Sequence, residues 1–192
     1  ALVEIGRCFS ARGSVPATSG NFSMRLDARR VAITRSGVDK GELVAADILV
    51  ADIESAPPPG SSAETPLHLA LYRDLPGTGA VIHTHADAAA VLSLAGEDLV
   101  LSGWELLKAF AGVTSHEALV PIPVFGNDQD TSALAARVSA RLSAVPAAPA
   151  YLLAGHGLYA WGRTLGEARR HAVALEHLLV CELARRRLGI PA

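Results

Sequence analysis

The sequence predicts an α/β fold, with one domain over residues 1–192 and a mixed sheet covered by helices. The chain has 192 residues, half of them hydrophobic and 19% charged, which suits one globular domain with a substantial core. Short apolar runs typical of strands are interspersed with helical patterns along the whole length. No internal repeat interrupts this order, so a solenoid is not indicated.

The first half of the chain begins with a helix and continues with three strands. The helix is predicted over 2–12, because its apolar residues share one stripe and Gly13 follows it. Alternating apolar residues predict a strand over 22–26, and apolar runs predict strands over 30–34 and 48–53. A Pro- and Ser-rich loop follows. Ser61 and Glu64 then fit a capping box that opens a helix running to about Leu75.

The second half repeats this alternation after Gly77 and Gly79. An apolar strand leads into residues 83–85, and small apolar residues after it indicate a helix packed closely on the sheet. The strand predicted over 119–124 contains two prolines, so it is expected at a sheet edge or end. The remaining predictions are helices over 86–95, 102–111, 131–144 and 164–188, strands over 119–124, 151–154 and 158–161, and a turn over 146–149.

Composition argues against several classes of partner. The formal charge is −2 and no basic patch is present, which argues against a nucleic-acid partner. No apolar run reaches the roughly 18 residues of a membrane helix, and no signal peptide is recognisable. Cys8 and Cys181 lack metal-type spacing, so free thiols in a reducing, cytoplasmic compartment are expected.

The most informative stretch is His83-Thr84-His85, at the end of a predicted strand. Residues i and i+2 of a strand point to the same face, so the two imidazoles would project side by side. Such a pair is half of a divalent metal site, but it could equally be two structural histidines. His156 also follows a strand and lies between two glycines, which favours a functional imidazole. Three histidines are a common ligand set for catalytic zinc.

Other polar residues have ordinary interpretations as well as functional ones. The loops at 18–21 and 35–37 could direct N–H groups and hydroxyls at an anion, although ordinary turns also look like this. His68 is expected to be packed or hydrogen-bonded, and His171 and His177 are expected to be ordinary helix residues. Glu105 and Lys108 fit a solvated i, i+3 ion pair. Lys40 could add positive charge near a bound phosphate, but a solvated lysine is the expectation.

Five motifs in order resemble the class II aldolase/adducin-head family across nearly the whole chain. They are TSGNFS (18–23), ITRSG (33–37), SAE (62–64), HTH (83–85) and GHGLY (155–159). The resemblance implies a three-layer, largely antiparallel architecture and one Zn²⁺ per subunit on His83, His85 and His156. It also implies a homo-oligomer, most often a tetramer, with sites near subunit contacts. The phosphate of a sugar-phosphate substrate would contact Ser19, Gly20, Asn21, Ser36, Gly37, Ser62 and Thr65.

Within the family, ELLKAFAGVTSHE and PVFGNDQD are similar to the subgroup that dehydrates 5-methylthioribulose 1-phosphate in methionine salvage. This resemblance implies Glu105 as the acid/base. Glu64 is the alternative, because sugar-phosphate aldolases of the family use a glutamate that aligns with it. An aldolase or 4-epimerase is therefore the nearest rival, although Ala63 replaces a second serine that aldolases often have. A non-catalytic head domain is a further rival, which retention of three histidines disfavours.

Overall fold

Nine strands and five α-helices make up the described part of the chain, residues 1–145 and 148–191 of a computed structural model. The helices are α1 (Leu2–Ala11), α2 (Thr65–Asp74), α3 (Asp87–Ser93), α4 (Thr131–Ala144) and α5 (Leu165–Arg187). The strands are β1 (Asn21–Arg25), β2 (Arg30–Thr34), β3 (Ile48–Asp52), β4 (Ala80–Thr84), β5 (Leu99–Leu101), β6 (Val120–Ile122), β7 (Val124–Phe125), β8 (Ala150–Leu153) and β9 (Gly157–Gly162). Short 3₁₀ helices occupy Ala45–Asp47 and Glu105–Ala109.

Seven of these strands form the central sheet, in the order β3-β2-β1-β4-β9-β8-β7. Every neighbouring pair is antiparallel except β7 and β8, which are parallel. Strands β5 and β6 form a separate antiparallel pair. The predicted mixed, largely antiparallel sheet is therefore confirmed.

Two hydrophobic cores lie on opposite faces of the sheet. Alternation along β2 and β4 separates them, because Val31, Ile33 and Val81 face one core while Ala32 and Ile82 face the other. Helices α1, α3 and α5 cover the face of Ala32 and Ile82, and α2 and α4 cover the opposite face. The result is the predicted three-layer arrangement. None of the described helices is long and apolar enough to cross a bilayer.

Two predictions between residues 99 and 124 were wrong, and one strand was missed. The helix predicted over 102–111 is a five-residue 3₁₀ helix, bounded by Gly103 and Gly112 with φ of 80° and 82°, where a helix cannot continue. The strand predicted over 119–124 breaks at Pro123 into β6 and β7, which belong to different sheets. Strand β5 was not predicted. Of the turn predicted over 146–149, residues 146 and 147 lie outside the described part.

Glycine is required where β9 passes the end of β4. A Cβ at Gly157 would lie 2.1 Å from the carbonyl oxygen of Thr84 and 3.2 Å from the Cα of His85, both of them backbone atoms. The two strands can approach this closely only without a side chain there.

We expect Gly157→Ala to destabilise the protein by about 1–3 kcal/mol, because overpacking forces these two backbones apart. Gly126→Ala is the matched control, since a Cβ there would meet nothing within 4 Å. Urea denaturation of both variants measures the difference in free energy of unfolding. Equal stability of the two variants would contradict the assigned contact.

Candidate metal and anion site

The ends of β4 and β9 bring the three histidines together. Thr84 pairs with Leu158 across these strands, so His85, just after β4, and His156, just before β9, lie at the same edge of the sheet. Gly155 adopts φ 63° in the turn between β8 and β9, a conformation that glycine takes without strain. The chain can therefore reverse sharply and present His156 toward β4.

Four side chains converge at this edge. The Nε2 atoms of His83 and His156 each lie 2.9 Å from Nε2 of His85. Oε1 of Glu64 lies 3.0 Å from Nε2 of His156 and 3.4 Å from Nε2 of His83. One ligand atom from each of the four residues falls within 4.8 Å of all the others. The three predicted histidines are thus brought together, and Glu64 joins them.

These donor atoms fit a divalent metal ion. His83 Nδ1 donates to the carbonyl of Leu158 (2.9 Å), so a deprotonated ring, the form that binds a metal, carries its lone pair on Nε2, the atom that faces the cluster. Oε1 of Glu64 is buried and faces the Nε2 atoms of His156 and His83. Three imidazoles and one carboxylate are a donor set typical of zinc and related ions.

Glu64 does not form the predicted capping box. It is the N-cap residue of α2 without a side-chain cap hydrogen bond, and its carboxylate points into the histidine cluster. Burial alone would raise the pKa of this carboxyl, but the charge of His83 and hydrogen bonds from His156 and His83 hold the pKa far below its usual range. The carboxylate is therefore anionic and available as a ligand.

A polar pocket adjoins the cluster and collects most of the residues predicted to bind phosphate. Ser19, Gly20, Asn21, Ser36 and Ser62 line it beside Glu64 and His85. The Ser19 hydroxyl is buried and has no hydrogen-bond partner, as expected for a group that faces a ligand.

Gly37 and Thr65, also predicted for phosphate, are not among the residues that line this pocket. Thr65 is buried, and its hydroxyl donates to the carbonyl of Ser62 at the start of α2. This hydrogen bond indicates a local structural role. Gly37 is exposed with φ 74°, so its place is a tight turn.

Two cationic side chains that are not among the predicted phosphate contacts also line the pocket. Arg35 lines the pocket, and so does Lys40, which is only 1% exposed instead of solvated. The ammonium of Lys40 donates to the carbonyls of Thr18 and Val38, and burial lowers its pKa against the opposing charges of Asp39 and Glu64. Position 40 lies between a predicted loop and strand, so nothing in the local sequence signals this burial.

Glu105 lies apart from the cluster in its own chain. Its side chain is 75% exposed, pairs with Lys108 at 2.7 Å as predicted, and lies 3.9 Å from His116. The hydrogen bond from Lys108 lowers the pKa of this carboxyl. Glu105 neither joins the four converging residues nor lines the pocket beside them.

The buried carboxylate of Glu176 supports strand β4 on the face opposite His83. Thr84 points to the face opposite His83 and donates to Glu176 of α5 at 2.8 Å. The same carboxylate accepts from Ser14 at 3.0 Å, and the carbonyl of Ser14 accepts from the backbone N–H of His85 at 2.9 Å. Helix α5 therefore fixes the end of β4, a role of Glu176 that no local sequence pattern signals.

The family model described as Class II Aldolase and Adducin N-terminal domain matches residues 1–183. The chain belongs to this family. The resemblance read from the five motifs is thus confirmed, and the histidine cluster and adjoining pocket are features of a family member.

Named relatives and solved structures agree with this membership. A methylthioribulose-1-phosphate dehydratase of Bradyrhizobium sp. strain BTAi1 is 54% identical, over 97% of this chain and 90% of its own. One of Parvibaculum lavamentivorans is 50% identical, over 95% and 91%. The crystal structure of l-fuculose-1-phosphate aldolase from Thermus thermophilus superposes with a TM-score of 0.82 at 29% identity, covering 100% of this chain and 96% of that one.

The stability of the folded protein should depend on pH because of His68, which is fully buried next to the site. Burial, with the charge of His83, lowers the pKa of His68 to about 3. Below pH 6.5 the unfolded chain binds a proton at this position and the folded chain does not. The free energy of unfolding should therefore fall between pH 6.5 and 3, by up to about 1.4 kcal/mol per pH unit from this group.

Urea denaturation of the metal-free protein across this range measures the slope. His68→Gln should reduce it, whereas His177→Gln, at an exposed position of α5, should leave it unchanged. An unchanged slope in His68→Gln would show that His68 is protonated in the folded state.

Proposed function

We propose that residues 1–192 form a catalytic domain that dehydrates 5-methylthioribulose 1-phosphate to 2,3-diketo-5-methylthiopentyl 1-phosphate, as a hydro-lyase of methionine salvage in the cytoplasm. The observation that carries the proposal is that Glu64 and His85 belong both to the histidine cluster and to the wall of the polar pocket. A small substrate could therefore place a ketone at the cluster and a phosphate group in the pocket at the same time. The two dehydratase relatives give the proposal its specific reaction.

The ion is proposed to be Zn²⁺, one per subunit, held by His83, His85 and His156. Its role would be to polarise the substrate's ketone oxygen and so acidify the neighbouring C3–H bond. Glu64 supplies a fourth oxygen donor next to the three imidazoles.

The phosphate is proposed to occupy the adjoining pocket. Ser19 and Ser36 offer hydroxyls, while Arg35 and Lys40 supply positive charge. Asn21 also lines the pocket, but its amide group already donates to Glu64 and Ser62. Glycine at position 20 lets this loop pack closely on Val15, because a Cβ there would lie 2.5 Å from the Val15 side chain. Its φ of 73° also suits glycine. These contacts fix the end of the substrate that does not react.

Proton transfer needs a group within hydrogen-bond reach of C3. We propose Glu105 for this role, supplied to the site of a neighbouring subunit in a homotetramer. The exposure of Glu105 supports this arrangement, because a 75% exposed carboxylate outside its own pocket is free to contact another copy.

Glu105 would carry out both proton transfers of the dehydration. Glu105 removes the C3 proton, and the electron pair of that bond forms a C3–C4 double bond as the C4–O bond breaks. Protonated Glu105 returns the proton to the departing hydroxyl, which leaves as water. The resulting enol takes up a proton at C4 and gives up the proton of its C3 hydroxyl to water, which yields the 2,3-diketone with atoms and charge balanced.

A sugar-phosphate aldolase or epimerase is the second candidate. The position of Glu64 at the metal cluster favours it, since this carboxylate could transfer protons at a bound ketose phosphate. So does the TM-score of 0.82 with the Thermus aldolase. In that reaction Glu64 would be essential and Glu105 dispensable.

We expect Glu105→Gln to lower kcat for dehydration by about 10²–10⁴-fold, the contribution typical of a general acid or base. A coupled assay of the zinc-loaded protein with 5-methylthioribulose 1-phosphate measures the diketone product. Glu117→Gln, the same change at another exposed position, is the matched control. Full activity of Glu105→Gln with loss in Glu64→Gln would move the acid/base role to Glu64. Retro-aldol products from the wild type would support the aldolase.

Mixing two inactive variants tests whether the site is shared between subunits. Glu105→Gln lacks the base and His85→Ala lacks a ligand, so each alone should be inactive. Co-refolded in equal amounts, they should recover about a quarter of wild-type activity, because random assortment completes about one site in four. If Glu105 serves its own chain, no mixed oligomer contains a complete site and the mixture stays inactive.

A further inference from the structure

Helix α2 and strand β1 face each other through a row of polar side chains, of which the proposed metal centre uses only Glu64. Glu64, His68 and Tyr72 are spaced i, i+4 and i+8, which places them on one face of the helix. Asn21 and Ser23 are spaced i and i+2, so both point from β1 toward that face. Apart from Glu64, which is partly exposed, all of these residues are buried.

These five side chains form one continuous hydrogen-bonded chain. The Tyr72 hydroxyl lies 2.8 Å from Ser23 Oγ, and Ser23 Oγ lies 2.7 Å from His68 Nδ1. His68 Nε2 lies 2.6 Å from Asn21 Oδ1. The Asn21 amide nitrogen donates to Glu64 Oε2 at 2.6 Å and to Ser62 Oγ at 3.3 Å.

The chemistry of the groups allows only one direction for this chain. An amide oxygen cannot face a carboxylate at 2.6 Å, so Asn21 must turn its NH₂ group toward Glu64. Its oxygen then faces His68 and requires a donor, so His68 carries its proton on Nε2. Nδ1 therefore accepts from Ser23, and Ser23 in turn accepts from Tyr72.

We propose that His68 is a positioning residue for the metal centre: through the Nε2-protonated tautomer, it fixes the Asn21 amide so that its NH₂ holds Glu64 among the three histidines. This rests on the proposed metal centre and deepens it. Without the donor at Nε2, the amide can turn its oxygen toward Glu64, which repels the carboxylate. Glu64 Oε1 then leaves the position where it lies 3.0 Å from His156.

The first test is the tautomer of His68 in the zinc-loaded wild type. Long-range ¹H–¹⁵N NMR of histidine-labelled protein distinguishes the two neutral forms. The proposal requires the Nε2-protonated form. An Nδ1-protonated or doubly protonated ring would overturn it, because either form breaks the hydrogen-bond sequence to Ser23.

The second test compares two buried histidines. His68→Phe keeps an aromatic ring against Tyr159, whose centroid lies 5.6 Å away, but removes both hydrogen bonds. His171→Phe is matched to it. His171 is also buried, donates to the carbonyl of Trp161, accepts from the backbone of Ala111, and lies 5.7 Å from the ring of Phe110. Of these two histidines, only His68 is linked to Glu64, through the amide of Asn21.

Zinc affinity, measured by competition with a chelator, is the readout that a general packing defect should not move. His68→Phe should weaken zinc binding by about 10–100-fold, as removal of supporting hydrogen bonds around metal ligands commonly does. His171→Phe should stay within about threefold of wild type, and His68→Gln, which can still donate to Asn21, should recover part of the loss. Equal zinc affinity in His68→Phe and His171→Phe would overturn the proposal.

The activity assay separates this proposal from that of the function. If the wild type binds zinc but does not dehydrate the substrate, the proposed reaction is wrong, while the zinc and NMR measurements still decide the role of His68. If it does turn over, His68→Phe should lower kcat more than it raises KM, because the pocket for phosphate keeps its hydroxyls and cations.

Discussion

The site depends first on the antiparallel pairing of β4 with β9. This register sets Thr84 opposite Leu158 and thereby brings His85 and His156, 71 positions apart, to the same edge of the sheet. The same pairing stacks Tyr159 on the ring of His83, with centroids 4.1 Å apart, and gives His83 Nδ1 the carbonyl of Leu158. A slip of β4 by one residue would turn His83 to the opposite core, away from Tyr159.

Each face of β4 has its own support. Helix α2 lies on the face of His83 and delivers Glu64, while α5 lies on the other face, where Glu176 accepts from Thr84. The two helices therefore hold consecutive residues of one strand from opposite sides. Burial raises the pKa of Glu176 against hydrogen bonds from Thr84 and Ser14. A buried carboxyl of this kind is tolerated because its oxygens are hydrogen-bonded.

Local patterns in the sequence were sufficient for some of these features. Alternation along β4 predicts that His83 and His85 share a face, and the glycines beside His156 predict a sharp turn. The burial of Lys40 could not be predicted, since it depends on the carbonyl of Thr18, 22 positions away. Glu64 misled for the same reason. Ser-x-x-Glu is a valid local capping signal, but the histidine cluster offers the carboxylate stronger partners than a helix N-terminus does.

The separation of the ligands along the chain also has a consequence for folding. Before β4 and β9 pair, the chain offers a metal only the neighbouring pair His83 and His85, since Glu64 and His156 come from other elements. Loop closure over such distances makes this pairing slow compared with helix formation. A metal held by all four groups would therefore reach its full affinity only after β4 and β9 have paired. Binding of the ion to His83 and His85 in the unfolded chain would reduce the stabilisation that the metal gives the native state.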